Sequence, residues 1–234
     1  MALPKLDTPT YQLELPSNQQ VIKYRPFLVK EQKILMMAQD ADNKKDTYDM
    51  LSDIVDGCTF NSVDIKTMPV FDFEYLFLKI RCKSVGESAE ISVLCPDDNK
   101  TRVPITVNLD EIDVQVEDGH NNVIDVNDSI KIIMRYPTID DIRGINEIDT
   151  TNNVMNLLKS CIHEVHDGDN IHSMIDVTRA EIDEFIDSLP TDVFEKISVF
   201  FDTMPQLTHV VEVDNPETGA KNEIVIQGME SFFS

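Results

Sequence analysis

The stretch PVFDFEYLFLKIRCKSVGE, residues 69–87, restricts the possible folds more than any other part of the chain. Pro69 suits a first helical turn, Asp72 and Glu74 favour the positive end of a helix, Arg81 and Lys83 favour the negative end, and Gly86 marks a stop. Val70, Phe73, Phe77 and Ile80 make one apolar stripe at helical spacing, and Phe71, Tyr75, Leu78 and Cys82 make a second. A helix that is apolar around most of its circumference has to be covered on two sides, so the rest of the chain must be built around it.

Elements of both kinds are available for that cover. YQLEL and QQVIKYRPF flank Pro16-Ser17-Asn18 and predict a short hairpin. Helical spacing follows at Leu28, Ile34, Leu35 and Met37 or Ala38, and again through DTYDMLSDIVDG to a stop at Gly57. After the long helix, AEISVLC, RVPITV, DVQV, NVIDV and SIKIIMRY alternate between Asp, Asn and Gly clusters, which predicts a small antiparallel sheet region. Beyond Pro137 the pattern predicts helices in IDDIRGINEI, NNVMNLLKSCIHEV, TRAEIDEFIDSL and TDVFEKISVFFDTM. Thr178 and Glu181 form a capping box, Thr191 and Asp192 start a helix after Pro190, and Val193, Ile197, Phe200 and Met204 form its buried stripe. The fold class is α+β, small antiparallel sheets packed with short helices. Residues 1–136 hold the N-terminal hairpin, helices and central β region; residues 137–234 hold a helical region ending in a hairpin, unless the two intertwine as one domain.

Two hairpins resemble each other. ISVLCPDDNKTRVPI, residues 91–105, superposes on HVVEVDNPETGAKNEIVI, residues 209–226, at an offset of 120 that sets Cys95 on Asn215, Pro96 on Pro216 and Asn99 on Gly219. Past the turn the apolar alternation slips by one, which a bulge would absorb. The Cys-Pro opening suggests half of a zinc knuckle, but a structural zinc needs four ligands. The two turns, Cys95-Pro96-Asp97-Asp98 and Asn215-Pro216-Glu217-Thr218, supply one thiol between them, with His209 on an adjacent strand. Turn chemistry explains the other residues, so the pair reads as degenerate and zinc-ribbon-like.

The cluster CIHEVHDGDNIH brings Cys161, His163, His166 and His172 near Glu164, Asp167 and Asp169. It lacks the H-E-x-x-H spacing, and Gly168 interrupts the predicted helix, so it reads as a helix C-terminus decorated with histidines that complement its dipole. A metal-dependent binding module using Cys95, His209 and this cluster is the rival of another class. Neither G-x-S-x-G nor a glycine-rich phosphate loop occurs among the seven glycines. Acidic pairs such as Asp97-Asp98 and Asp140-Asp141 are expected as solvated faces, because 43 acidic residues stand against 20 basic ones. No cofactor, no metal and no catalysis are expected.

A net charge of −23 repels phosphate backbones and anionic lipid surfaces, which makes nucleic acid and membranes poor partners. MALPKLDTPT carries no apolar stretch of signal-peptide length, and no segment approaches the roughly 18 uninterrupted apolar residues of a membrane span. Cys58, Cys82, Cys95 and Cys161 are scattered and read as reduced, buried thiols of a cytoplasmic protein.

KYRPFLVKEQKIL and FDFEYLFLKIRCKSVGE, together with DSLPTDVFEKISVFFDTMP and the terminal IVIQGMESFF, resemble the baseplate hub proteins of T-even-type contractile-tailed phages. The family covers the small hub subunit and the hub assembly factor. The resemblance implies C-P-x-C-like turns in relatives, from which this chain departs by keeping only Cys95. It also implies a non-enzymatic role in forming the central hub in the host cytoplasm. That role is either a hub assembly factor or chaperone for hub and tape-measure proteins, or a stoichiometric hub subunit retained in the virion tail. Arg25, Lys30, Glu31, Arg81, Lys83, Gly86 and Glu87 lie in the family-like segments and are candidate partner contacts, with helix caps, ion pairs and a helix stop as their internal alternative; the terminal Phe232 and Phe233 either dock on a partner or staple the tail onto its own core.

Overall fold

The computed structural model describes residues 6–39, 44–143 and 150–229. In chain order the elements are β1 (Tyr11–Glu14), β2 (Val21–Tyr24), α1 (Val29–Gln39), α2 (Lys44–Cys58), α3 (Val70–Val85), β3 (Ser88–Leu94), β4 (Arg102–Asn108), a 3-10 turn (Leu109–Glu111) and β5 (Asp113–Gln115). They continue with β6 (Val123–Asp125), β7 (Ile130–Met134), α4 (Ile139–Arg143), α5 (Thr150–Cys161), β8 (Ile162–Asp167), β9 (Asn170–Ser173), α6 (Arg179–Asp187), α7 (Thr191–Thr203), β10 (Gln206–Asp214) and β11 (Lys221–Gln227). The class is α+β, with every strand pair antiparallel. Contacts group the chain into two compact units, Met1–Gln115 with Gln206–Ser234, and Val116–Pro205. The sequence-based division at 136/137 falls inside the second of these, and both similar hairpins belong to the first.

In the first unit α3 is covered on two sides, as its two stripes require. Phe73, Leu76, Phe77 and Ile80 are fully buried, with Phe77 against Phe27 at 5.9 Å and Phe73 against Tyr48 of α2 at 6.4 Å between ring centroids. The other stripe, through Leu78 and Cys82, joins Ile91, Val93, Val107, Leu207, Val213 and Ile226 from the hairpins in one core. Each such side chain contributes about 1.5–3 kcal/mol on burial, so this helix organises the unit. α2 presents Leu51, Ile54, Val55 and Cys58, an i, i+3, i+4, i+7 face, to the interior. The predicted single β region is in fact dealt out: β3 pairs only with β4, while β5 leaves it to pair with β10.

The second unit is a four-stranded meander, β6-β7-β8-β9, whose inner face packs on α5 and α7 through Ile132, Met134, Leu158, Cys161, Val193, Ile197 and Phe200. Two expectations are corrected here. The helix predicted to run through CIHEV ends at Cys161, and Ile162–Asp167 is a strand paired on both sides, with the tight turn to β9 made at Gly168, φ 58°. The β-branched Ile162 and Val165 face the core in this strand, and two ladders of backbone bonds outweigh the helical pattern. Met204 lies at the end of α7, half-buried, outside the stripe of Val193, Ile197 and Phe200. Of the helix predicted at IDDIRGINEI, α4 covers Ile139–Arg143, and the rest lies outside the described residues.

Candidate functional site

The first unit brings the turns of its two similar hairpins into contact. Asn215, 1% exposed, donates from Nδ2 to both carboxylate oxygens of Asp97 at 2.9 and 3.2 Å, and Thr218 Oγ1 donates to Asp97 at 2.5 Å. The Asp97 amide donates in turn to Asn222 Oδ1 at 3.2 Å. Hydrogen bonds from Thr218, then Asn215, hold the Asp97 carboxyl below its ordinary range. Asp98 is held low as well, by the hydroxyl and amide of Thr101 and the amide of Lys100. The acidic pair is therefore structural, with both carboxylates engaged as acceptors.

The two turns open with the same backbone and close one residue apart. Cys95 donates to Thr101 O and accepts from the Asn99 amide; Asn215 donates to Ala220 O and accepts from the Gly219 amide. Asn99 and Gly219 both take the left-handed conformation, φ 54° and 74°. The one-residue slip predicted as a bulge is an extra residue in the first turn: seven residues separate β3 from β4, six separate β10 from β11. A third copy went unread in the sequence. Leu15 donates to Gln20 O, accepts from the Gln19 amide, and Gln19 has φ 59°. In all three turns the residue three past the first accepts a backbone amide two positions on: Asn18 from Gln20, Asp98 from Lys100, Thr218 from Ala220. The turn between β1 and β2 docks elsewhere, with the Ser17 amide and hydroxyl both donating to the buried Asp72 at the start of α3, the amide at 3.1 Å.

The candidate contact residues separate by exposure. Arg25 and Glu31, 6% and 2% exposed, are spent internally as an ion pair, the alternative to a partner contact. Arg25 donates to Glu31 at 2.8 Å and to the Gly57 carbonyl at 2.7 Å. Burial alone would raise the Glu31 carboxyl, but hydrogen bonds from Arg25, the Leu28 amide and Lys30 outweigh it and hold it at about 2. The burial that threatens this pair pushes the neighbouring Cys58 thiol up to about 12. Lys30 keeps a 67% exposed side chain at 3.2 Å from Glu31. Lys83 pairs with Glu87 at 2.7 Å across the stop at Gly86, φ 113°, and Arg81 donates to the Gly86 carbonyl at 3.5 Å. Phe232 and Phe233 lie outside the described residues.

In the second unit Glu164 lies 2.9 Å from His166 and 3.7 Å from the exposed His163, and among the described residues no three His, Cys, Asp or Glu side chains gather as a metal ion would need. Asp141 takes a fork from Arg135 at 2.7 and 3.0 Å and bonds from Thr138; these outweigh burial and hold it at about 2. His120 was not legible, because its partners lie far off in sequence: Nδ1 is 2.9 Å from Thr203, Nε2 is 3.1 Å from Tyr136, and its ring centroid is 5.3 Å from Phe200. The Thr203 hydroxyl donates to Val199 O, so Nδ1 donates to Thr203 and Nε2 accepts from Tyr136. Burial lowers its pKa and keeps the ring neutral.

Nothing in these clusters leaves a nucleophile and base facing a common space, and the assignment rests on the chain as a whole. The family model described as T4 bacteriophage base plate protein matches residues 8–234. The chain belongs to that family. No curated protein and no solved structure matches it. As a phage baseplate protein it has a structural or assembly role among the other proteins of the tail. No helix among the described residues is long and apolar enough to cross a membrane.

Proposed function

We propose that this baseplate protein acts in forming the central hub, as an assembly factor or chaperone for hub and tape-measure proteins, and catalyses no reaction. The family match across residues 8–234 carries the reading. It is supported by the fate of four acidic groups, Glu31, Asp97, Asp98 and Asp141, held ionised by bonds to their own chain; Asp72, whose pKa burial raises, is spent on the Ser17 amide and hydroxyl. α1 carries accessible apolar side chains, Val29, Met36 and Met37, together with the exposed Lys30, which suit reversible contact with a helical partner. Lys83, Gly86 and Glu87 at the end of α3 remain proposed contacts on the same grounds of accessibility. Assembly would take place in the host cytoplasm.

One other reading, a stoichiometric hub subunit, is compatible with a family described as base plate protein. Co-expression with the hub and tape-measure proteins tests the shared premise; a chain that forms no complex with either removes both readings. Mass spectrometry of purified virions then separates them. Absence from the particle is the expected result for an assembly factor, and hub-level abundance assigns a built-in subunit.

A further inference from the structure

The core of the second unit is open along one side. Ile130 and Val165 of the sheet, Met174 and Val177 of the following loop, and Ile182 and Phe185 of α6 line a groove of about 350 Å³. Its polar border is made by Asp167, His172 and Glu181, whose carboxylate also accepts from the Thr178 amide and hydroxyl as part of the α6 cap, and the neighbouring Ile171 and Ile175 are 62% and 89% exposed. Such a patch leaves apolar area in water that the unit's own chain does not cover. The surrounding charge has one sign: residues 116–205 carry 19 acidic and 6 basic side chains. Five of those cations, Lys131, Arg135, Arg143, Lys159 and Lys196, are already paired with aspartates, Lys159 with Asp183 of α6, and the sixth, Arg179, stands at the start of α6.

Resting on the tail-assembly reading, we infer that this groove is the docking site for an amphipathic helical segment of another tail protein, with apolar anchors flanked by lysine or arginine. The occupant follows from complementarity. Apolar walls from a sheet on one side and a helix on the other accept side-chain anchors at helical spacing, and the acidic border selects cations beside them and rejects an acidic helix. The volume is at the small end of ligand sites and matches a few side chains, not a whole domain.

The test uses the full chain with labelled Ile, Val and Met methyl groups and an 18-residue synthetic helix bearing a leucine stripe flanked by lysines. Binding should shift the methyls of Val165, Met174, Val177 and Ile182. A peptide with glutamate for each lysine should bind at least tenfold more weakly. Asp167→Lys combined with Val177→Lys should weaken the lysine peptide at least tenfold, while Glu117→Lys, outside the groove, should not; Asp167→Lys alone, at an exposed position, serves if the double variant fails to fold. Shifts confined to other methyls, or equal affinity for all variants, overturn the inference. Shifts that appear on concentrating the chain without peptide assign the groove to a second copy and also overturn it. In infected cells, wild-type complexes with tail proteins that survive unchanged in the groove variant sink this site and leave the assembly role standing. Absence of any wild-type complex sinks the role itself.

Discussion

The three hairpin turns of the first unit share a backbone and differ in what their first residue buries: Leu15 at 3% exposure, Cys95 at 0% and Asn215 at 1%. A hydrocarbon, a thiol and an amide occupy one geometric position. The turn is therefore specified by proline at the second residue, an acceptor side chain at the fourth and a left-handed fifth residue, and not by any ligand at the first. The side chains then decide the docking. Ser17 attaches its turn to Asp72 of α3, whereas Asp97 and Asn215 attach the other two turns to each other.

That closeness gives the largest expected effect. With Cys95 in place, Asp98→Cys, Asn215→Cys and Thr218→Cys together would present four thiolates from two facing turns, the number a structural zinc requires. The triple variant is expected to bind one zinc and to melt much lower in chelator than in zinc, on a scale of about 10 kcal/mol. The parent chain should melt identically in both. A variant that takes up no zinc would mean that the turns face each other without the tetrahedral spacing of a knuckle pair.

Next in size is Asn215→Leu, which copies the first turn into the third. It keeps the burial but forfeits the bonds to Asp97 and to the amides of Glu217 and Thr218, and a loss of about 1–3 kcal/mol in urea unfolding is expected. A neutral result would reduce the amide to a space-filler. The same variant should flatten the acid limb of stability. Asp97 has a depressed folded pKa, so its contribution is complete above the unfolded value near about 4 and disappears as pH falls through the folded value. The difference between parent and variant should therefore narrow as pH falls through the folded value of Asp97, down to the part owed to the Glu217 and Thr218 amides, which does not titrate.

The turns also mark what the sequence makes legible. Proline and a Gly or Asn three places on are local signals, so two hairpins could be matched at an offset of 120; Gln19 hid the first copy because glutamine rarely signals a left-handed residue. The two stripes of α3 were readable because sixteen residues repeat one period. The junction at Cys161 and Ile162 was not, since a helix passes into a strand with neither glycine nor proline between them. The pairing of β5 with β10, Thr208 opposite Asp113, spans a whole inserted unit and leaves no local trace. At the candidate contacts, the sequence placed Arg25 and Glu31 beside apolar segments but could not say that both point inward. The groove escaped because its walls come from residues 130, 165, 174 and 182, no two of them adjacent.

The smallest effects compare the left-handed residues themselves. Gly219 has open space where a Cβ would stand, so Gly219→Ala meets only backbone strain and should cost about 1 kcal/mol. Gln19→Gly runs the other way: it relieves about 1–2 kcal/mol of left-handed strain and loses part of that to the freer unfolded chain, for a net gain of about 0.5–1 kcal/mol. Asn99→Gly should be close to neutral. Asparagine tolerates this conformation, and its Nδ2 donates to the Pro96 carbonyl at 3.1 Å, a bond that glycine gives up. Chemical denaturation of the three variants should thus rank Gln19→Gly above Asn99→Gly above Gly219→Ala. If Gln19→Gly destabilises instead, the glutamine side chain has a role in the first turn that its backbone does not explain, and the three turns are not copies of one device.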